Sequence, residues 1–535
     1  MRRVLLFSYA LIFVMAAGAA SCEFSIRNDR DKNIPAEKVD TNILQKAGVT
    51  TPQDLYSDFL DMIDDVESMN STEIDSLSDE DVLELGAPVR TATSNTIYFD
   101  DETLEQLSES LQRLDKNFSS LTDNEHSILS RRIENLLNSS AESADGPRRK
   151  STQEIREILK NWASDTDESS ACSNLFNQLG DFVLIGMGES FSIANYTCPA
   201  GSKFIVRGGV HTGQSVLTSK TGNSWMGLSG AVLDGQDSIY RAFSGGINQN
   251  RIGWIEMRNY HLHGIFSTSG ISAVTIRKGR FLNIAPDSSG QNYGAIQLDN
   301  ASDIRIRESY FKNVASAVRL RFSDGPLEVV NNEGLNTGRN FFQCDECTGS
   351  GIRISENTMI RTDPYGADPL EDWINIYKSA GDSTDWIQVH RNRARGHSLS
   401  GSGSFIMLGD GGGRFQEAVG NIGINPGQVG IGIAGGHHIK VEANKMYSTA
   451  WDSSNVAFYS ANYSPGNCAT HIFTGANSST PNRANWICGD QYNCHPPAMN
   501  HAWSDGQCGV TNSQITDSVV VDRSLNPVNL WNEWE

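Results

Sequence analysis

The chain has 535 residues, with 43 basic and 64 acidic side chains and 49 glycines against 15 prolines, too long for one small domain at roughly 150 residues each. A net charge of −21 argues against a surface built to neutralise nucleic-acid phosphates, so nucleic acid is not an expected partner. Beyond the first twenty residues no run approaches the ~18 apolar residues of a membrane span.

Residues 1–21 have the order of an export signal: Arg2-Arg3, an apolar run from Val4 to Val14, then the small residues Ala16 to Ser21. The expected location is therefore secreted or cell-surface. Nine cysteines follow the same logic. Setting Cys22 aside leaves eight, an even number suited to disulfides in an oxidising compartment. Ala19-Ala20-Ser21-Cys22 resembles a loose bacterial lipobox, which would make Cys22 a lipidated first residue and the only route to a membrane. The alternative is cleavage after Ala19 or Ala20, leaving Cys22 free or paired between chains.

Residues 22–170 read as an acidic helical stalk or spacer. Residues 23–170 hold 15 basic and 33 acidic side chains, against 26 and 31 over 171–535. Thr51-Pro52 opens one apolar helical pattern, and Ser151-Thr152-Gln153-Glu154 precedes another. Between them Thr122-Asp123-Asn124-Glu125 is a capping box ahead of Ile128, Ile133 and Leu136. The apolar faces are narrow, which predicts loose packing. Gly146-Pro147-Arg148-Arg149-Lys150 is an expected exposed linker.

From about Asp181 the period becomes two. Trp254-Ile255-Glu256-Met257, Val274-Thr275-Ile276, Ile304-Arg305-Ile306, Leu327-Glu328-Val329, Ile352-Arg353-Ile354, Ile387-Gln388-Val389 and Ile439-Lys440-Val441 each predict a strand with one buried face. Their second apolar residues are 21, 30, 23, 25, 35 and 52 residues apart, the last interval leaving room for a turn near Phe415–Val419. This is the period of stacked turns. A second series precedes these strands: Gly264-Ile265-Phe266, Ala295 to Leu298, Ala317 to Leu320, Trp373 to Ile376, Phe405 to Leu408 and Gly430 to Ile433. Asn357, Asn392 and Asn444 follow several anchors, where a buried amide would bond to the backbone of the next turn.

With Phe204-Ile205-Val206-Arg207-Gly208-Gly209 and Ala231-Val232-Leu233-Asp234-Gly235, these coils resemble the right-handed parallel β-helix proteins of the pectate-lyase superfamily. The resemblance implies an all-β solenoid over 171–460, bounded by the α-helical acidic region and, over 461–535, by a cysteine- and tryptophan-rich cap.

In such a solenoid, alternate residues of one strand series line a groove. Gln297 and Asp299, Arg319 and Arg321, Asn375, Tyr377 and Lys378, then Asp410 fall on successive coils. Two arginines suit a carboxylate or its enolate, and a phenol or ammonium beside them suits proton transfer. The expected function is β-elimination in an acidic polysaccharide, with Arg319, Arg321, Tyr377 and Lys378 catalytic. Gln297, Asp299, Asn375, Asp410 and Arg391 would bind substrate. The order Glu371…Lys378-Ser379 resembles the calcium-dependent alginate and chondroitin-type lyases. Their Arg-His-Gly step stands here as Gly409-Asp410-Gly411, so the resemblance implies roles only for Lys378 and Glu371. Calcium would use Glu371, Asp372 and Asp368.

Two alternatives stand beside this. One is a glycoside hydrolase whose carboxylates are Asp372 and Asp410, which begin and end neighbouring strands and so are expected far apart. The other is a non-catalytic glycan-binding surface protein. Among lesser motifs, Gly409 to Gly413 is expected to be a corner. His437-His438 are expected on opposite strand faces, and Cys344-Asp345-Glu346-Cys347 is expected to close a local disulfide.

Overall fold

The computed structural model describes residues 101–141, 172–173 and 175–533, apart from 269, 286–292, 363–370, 397–402, 451–453, 464–467, 476 and 490–500. The export signal, Cys22, the 146–150 linker and the flanking helical patterns lie outside the described residues. Two compact units divide the chain. One includes 141–177 and 188–199; in it the short helix Phe191–Thr197, capped by the Ser190 hydroxyl, is tied by the Cys172–Cys198 disulfide. The other includes 99–140, 178–187 and 200–535 and carries the sheets. No helix among the described residues is long and apolar enough to cross a membrane.

The second unit begins with helices α1 (Asp101–Lys116) and α2 (Asp123–Ala141). The capping box before α2 forms: the Thr122 amide donates to Glu125 Oε2 at 2.9 Å and the Glu125 amide to Thr122 Oγ1 at 3.3 Å. Leu107, Leu111, Leu114, Phe118 and Leu121, spaced four and three apart, make one apolar stripe. With Ile133 and Leu137 of α2 they are buried against Leu184, Ile205, Met226, Leu228 and Trp254 of the strand region. Burying each such leucine is worth about 2 kcal/mol, so narrow faces that look loosely packed in sequence become firm against a partner surface.

The strands form large, mostly parallel sheets, one of 13 and one of 21 strands among the described residues. The first runs as a single ladder from Phe182–Ile185 to Ala469–Phe473. Ile276, Ile306, Val329, Ile354, Val389, Ala418 and Val441 stand opposite one another in unbroken register. This is the expected anchor series with the extra strand Arg414–Val419 in its expected place. One anchor differs: Ile252, not Ile255, pairs with Ile276. Trp254 takes a left-handed φ of 55°, so the chain turns a corner there.

The second sheet contains two ladders. One uses short strands such as Thr358–Ile360 and Arg393–Arg395, too brief to show a sequence period. The other stacks β1 (His263–Ser267), β2 (Gly294–Asp299), β3 (Tyr310–Arg321), β4 (Glu333–Asp345), β5 (Asp372–Tyr377), β6 (Ser404–Asp410), β7 (Val429–Ile433), β8 (Val456–Ser460) and β9 (Ala502–Ser504). Ile265, Ile296, Val318, Phe342, Ile374, Ile406, Ile431 and Phe458 are its buried register. β3 and β4 belong to both ladders.

The corner between the first ladder and the short one repeats a single device. Asn331, Glu356, Arg391, Gly420 and Ala443 have φ between 48° and 70°, and the next residue in each case, Asn332, Asn357, Asn392, Asn421 and Asn444, is buried. Each of these amides reaches back one turn, not forward to the next as expected. Its Oδ1 accepts the preceding corner's backbone N–H at 2.8–3.1 Å, and its Nδ2 donates to a carbonyl of that turn at 2.8–3.0 Å. Asn482 extends the series.

Replacing Asn392 by Ala orphans the Asn357 N–H and removes a donor from the Ile354 carbonyl in a dry corner, at about 1–3 kcal/mol for an orphaned group. Urea unfolding of Asn392→Ala is expected to lose about 3 kcal/mol; a loss under 1 kcal/mol would deny the ladder a role in stability.

Candidate functional site

The outward residues of β2–β6 form two columns. Gln297, Arg319, Gln343, Asn375 and Met407 are in register, and so are Asp299, Arg321, Asp345, Tyr377 and Asp410. Adjacent rungs are ~4.8 Å apart, so residues distant in the chain share one strip. Gln297, Asp299, Gln343 and Asn375 are largely buried. The expected columns are therefore present, with one rung more than the sequence suggests. Strand β4 inserts Gln343 and Asp345 between Arg321 and Tyr377, so Asp299 and Arg321 are neighbours while Tyr377 stands two rungs from Arg321.

Asp345, missed in the sequence, organises this part of the strip. Its Oδ2 accepts from Arg319 Nη2 at 3.1 Å and lies 3.6 Å from Arg321 Nε. Arg321 Nη1 also lies 3.7 Å from Asp299, whose other oxygen accepts from Gln297 Nε2 at 3.3 Å. Burial pushes the Asp299 carboxyl above its ordinary pKa, with the Arg321 charge opposing it. Phe342 and Cys344 keep the strand period, but no Ile, Val or Leu marks it, and the Cys344–Cys347 disulfide, which forms as expected, draws attention to itself.

Further along the strip, Asn375 Nδ2 donates to Asp372 Oδ2 at 2.8 Å and to Asp410 Oδ2 at 3.0 Å. The two carboxylates expected far apart therefore share one amide nitrogen. The cause is a register shift between β5 and β6, where Tyr377 pairs with Asp410 although Asn375 pairs with Met407. A bulge re-aims a side chain in this way. Gly409 within it has a φ of 61°, and a Cβ there would collide with the Gly435 carbonyl. Gly409 to Gly413 is a corner, as expected, with four of its five residues at positive φ. Asp372 is buried, receives the Ser404 amide at 3.0 Å and the Ser404 hydroxyl, and is pushed up to about 6 chiefly by burial, with Asp410 adding repulsion. Asn375 Oδ1 and Gln297 Oε1 are buried without a hydrogen-bond partner among the described residues. Beyond them Met407, Gly432, Tyr459 and Trp503 continue the first column.

Lys378 sits at a left-handed corner (φ 47°), 3.5 Å from Glu346 and over the Tyr377 ring. Its bond to Tyr377, more than Glu346, holds the ammonium pKa above its usual value. Arg391 is not brought to the strip: it precedes Asn392 on the opposite corner and pairs with Glu356 at 3.1 Å. Arg393 and Arg395 stack on Trp531 on the short ladder.

The expected calcium site does not hold. Glu371 is taken by Arg339 Nε at 2.8 Å, Asp372 is turned to Ser404 and Asn375, and Asp368 lies outside the described residues. The group of His, Cys, Asp and Glu side chains able to converge on a metal ion among the described residues is instead Cys468, His471 and Cys508, of Cys/His type. His437 and His438 also differ from expectation. His438 has φ 56°, which breaks the alternation, and their Nδ1 atoms meet at 2.8 Å.

Arg361 has no counterpart in the sequence reading. It is 6% exposed, Nη1 and Nη2 have no hydrogen-bond partner among the described residues, and burial alone pushes it down to about 10.

No family model matches this chain, and no curated protein matches it either.

Two stability measurements follow. The folded Asp372 carboxyl holds its proton to a higher pH than the ~3.9 of an unfolded Asp, so stability falls as pH rises from about 4 to about 6. Melting curves of Asp372→Asn are expected to lose that slope; an unchanged slope would assign it to another group. Arg361→Met removes a buried unpaired charge and is expected to stabilise by about 1–3 kcal/mol, and a fall in melting temperature would mean that the guanidinium has a partner in solution.

Proposed function

We propose that the chain is an exported right-handed parallel β-helix protein of the pectate-lyase-like class that binds a polysaccharide along β2–β6 and hydrolyses it. The fixed visiting order of the parallel ladders supports the fold, and the disulfides Cys172–Cys198, Cys344–Cys347 and Cys468–Cys508 support an oxidising location. Attachment through a lipid on Cys22 belongs to the same proposal.

The observation that carries the chemistry is the outward series Asp345–Tyr377–Asp410. Two carboxylates two rungs apart stand ~9.5 Å from each other by strand spacing, at the upper end of the ~6.5–9.5 Å that leaves room for a sugar and a water in inverting glycosidases. Both are held by fixed donors, Asp345 by Arg319 and Arg321, and Asp410 by Asn375. Asp345, clasped by guanidinium groups, takes the task of activating water. Asp410, which shares Asn375 with the buried carboxyl of Asp372, is the carboxylate on the other side of the bound sugar. Asp372 acts as a positioning residue, since Ser404 and Asn375 bond both its oxygens. Tyr377 between the carboxylates touches the bound sugar.

β-Elimination is the less favoured reading. It needs a base, and Lys378 beside Tyr377 and Glu346 is held in its protonated form. It also needs cations free for a uronate, and Asp299 and Asp345 occupy Arg321. The same carboxylates favour a glycan of low charge density over a dense polyanion.

The test is incubation of the purified full chain with neutral and acidic polysaccharides, following reducing ends and unsaturated-uronate absorbance together. Reducing ends without absorbance are expected, with kcat falling about 10²–10⁴-fold in Asp345→Asn and Asp410→Asn. Absorbance that disappears in Lys378→Ala or Tyr377→Phe would establish elimination instead, and binding with no product would leave a glycan-binding protein.

A further inference from the structure

We infer that Cys468, His471 and Cys508 are a binding site for a zinc-like divalent cation that opens when the Cys468–Cys508 disulfide is reduced. The site lies at the end of the first ladder. There Ala469–Phe473 pairs with His437–Glu442, and His471 stands opposite Ile439. An imidazole thus occupies a position that the previous turn gives to a fully buried isoleucine, and it is itself only 4% exposed. A core stack gains nothing from that exchange, so the ring asks for another explanation.

Its hydrogen bonds provide one. Nε2 lies 3.1 Å from the carbonyl oxygens of both Gly435 and Gly436, so Nε2 carries the hydrogen and donates. Nδ1 therefore holds the lone pair, and it accepts from the Ser460 hydroxyl at 2.8 Å. A ring whose N–H is fixed on backbone carbonyls and whose other nitrogen is left as acceptor is the arrangement found in metal-ligating histidines. The ligand atoms of the three residues lie within 4.8 Å of one another. Zinc bound by sulfur at ~2.3 Å and nitrogen at ~2.0 Å spans distances of that order, so small side-chain movements convert one arrangement into the other.

The two states interconvert with balanced chemistry. A dithiol attacks through its thiolate, and the half-buried Cys468 is the more accessible sulfur, Cys508 being fully buried. The Cys468–Cys508 bond breaks, the dithiol closes to its own disulfide, and two electrons and two protons pass to the protein as two thiols. The cation then displaces both thiol protons. The Ser460 hydroxyl gives up its bond to Nδ1; two sulfurs and Nδ1 then make three ligands, and water takes the fourth position of a tetrahedral site. Either state ties the segment ending at Cys508 to the last strand of the first ladder; the His471 amide also donates to the Cys508 carbonyl at 3.2 Å. The cap therefore stays attached in oxidising and in reducing surroundings.

Cobalt reports such a site by colour. The full chain, reduced with a phosphine so that no added thiol competes, is titrated with Co²⁺ and then with Zn²⁺. One equivalent of Co²⁺ is expected to give sulfur-to-cobalt charge transfer and tetrahedral d–d bands, displaced by zinc and absent from the oxidised protein. Cys468→Ser and Cys508→Ser should lose the charge transfer, and His471→Gln, which leaves the disulfide intact, should shift the d–d bands and weaken binding at least tenfold. The Cys344→Ser/Cys347→Ser double variant should bind as before. No binding by the reduced chain, signals that survive in His471→Gln unchanged, or signals lost with Cys344 and Cys347 would each overturn the inference. Should the Cys508→Ser chain fail to fold, the His471→Gln spectrum decides.

Discussion

A single buried amide per turn, bonded to the turn before it, is the constraint on which the rest of the molecule depends. A parallel ladder can slide by a residue, and sliding by one reverses every side chain from core to solvent. The asparagines from Asn332 to Asn482 prevent this, because each satisfies a backbone N–H that would otherwise be orphaned in a dry corner and donates to a backbone carbonyl of the turn before. The left-handed residue before each asparagine turns the chain so that its side chain points inward. Where that residue is not glycine, the corner accepts backbone strain in return for those bonds.

Once register is held, the outward columns follow without further instruction. Arg319, Arg321, Asp345, Asn375 and Asp410 do not meet through any local motif; they meet because their rungs are stacked. A chain with a strong net negative charge thus carries a strip in which guanidinium and carboxylate groups alternate closely enough to pair. One irregularity adds what stacking alone could not. The bulge at Gly409 shifts Asp410 toward Asn375, and through it toward Asp372. The same glycine packs against the Gly435 carbonyl of the next turn, so site geometry and turn packing are secured at one position.

Long stretches of this arrangement are legible in the amino acids. Inward Ile and Val at two-residue spacing mark the first ladder, and from Ile276 onward their register pairs as the spacing implies, whereas Ile252 stands where Ile255 is expected. Apolar pairs such as Ile374 with Ile376 and Ile406 with Leu408 mark strands β5 and β6, and Thr122 with Glu125 marks the start of α2. Elsewhere the signal is too small. Three-residue strands cannot display a period, and β4 fills its core positions with Phe342 and Cys344, which hid Asp345. Two adjacent histidines were expected apart because strands alternate; a left-handed backbone at His438 removes the alternation. The acidic run before β5 looks like a cation site as a string of letters, whereas Arg339, Ser404 and Asn375 already occupy Glu371 and Asp372.

What the sequence determined by itself is the repeat: which residues face inward, where amides brace the corners, and that cysteines staple the ends. These depend on periodicity and on local chemistry, which are written in the order of residues. Only the tertiary structure decided which outward groups became partners, that the apolar stripe of α1 and α2 closes on the strands, and that Cys468, His471 and Cys508 converge. Those outcomes depend on how many residues each corner consumes and where a bulge inserts one more, because a displacement of one residue along a strand moves a side chain to the other face of the sheet.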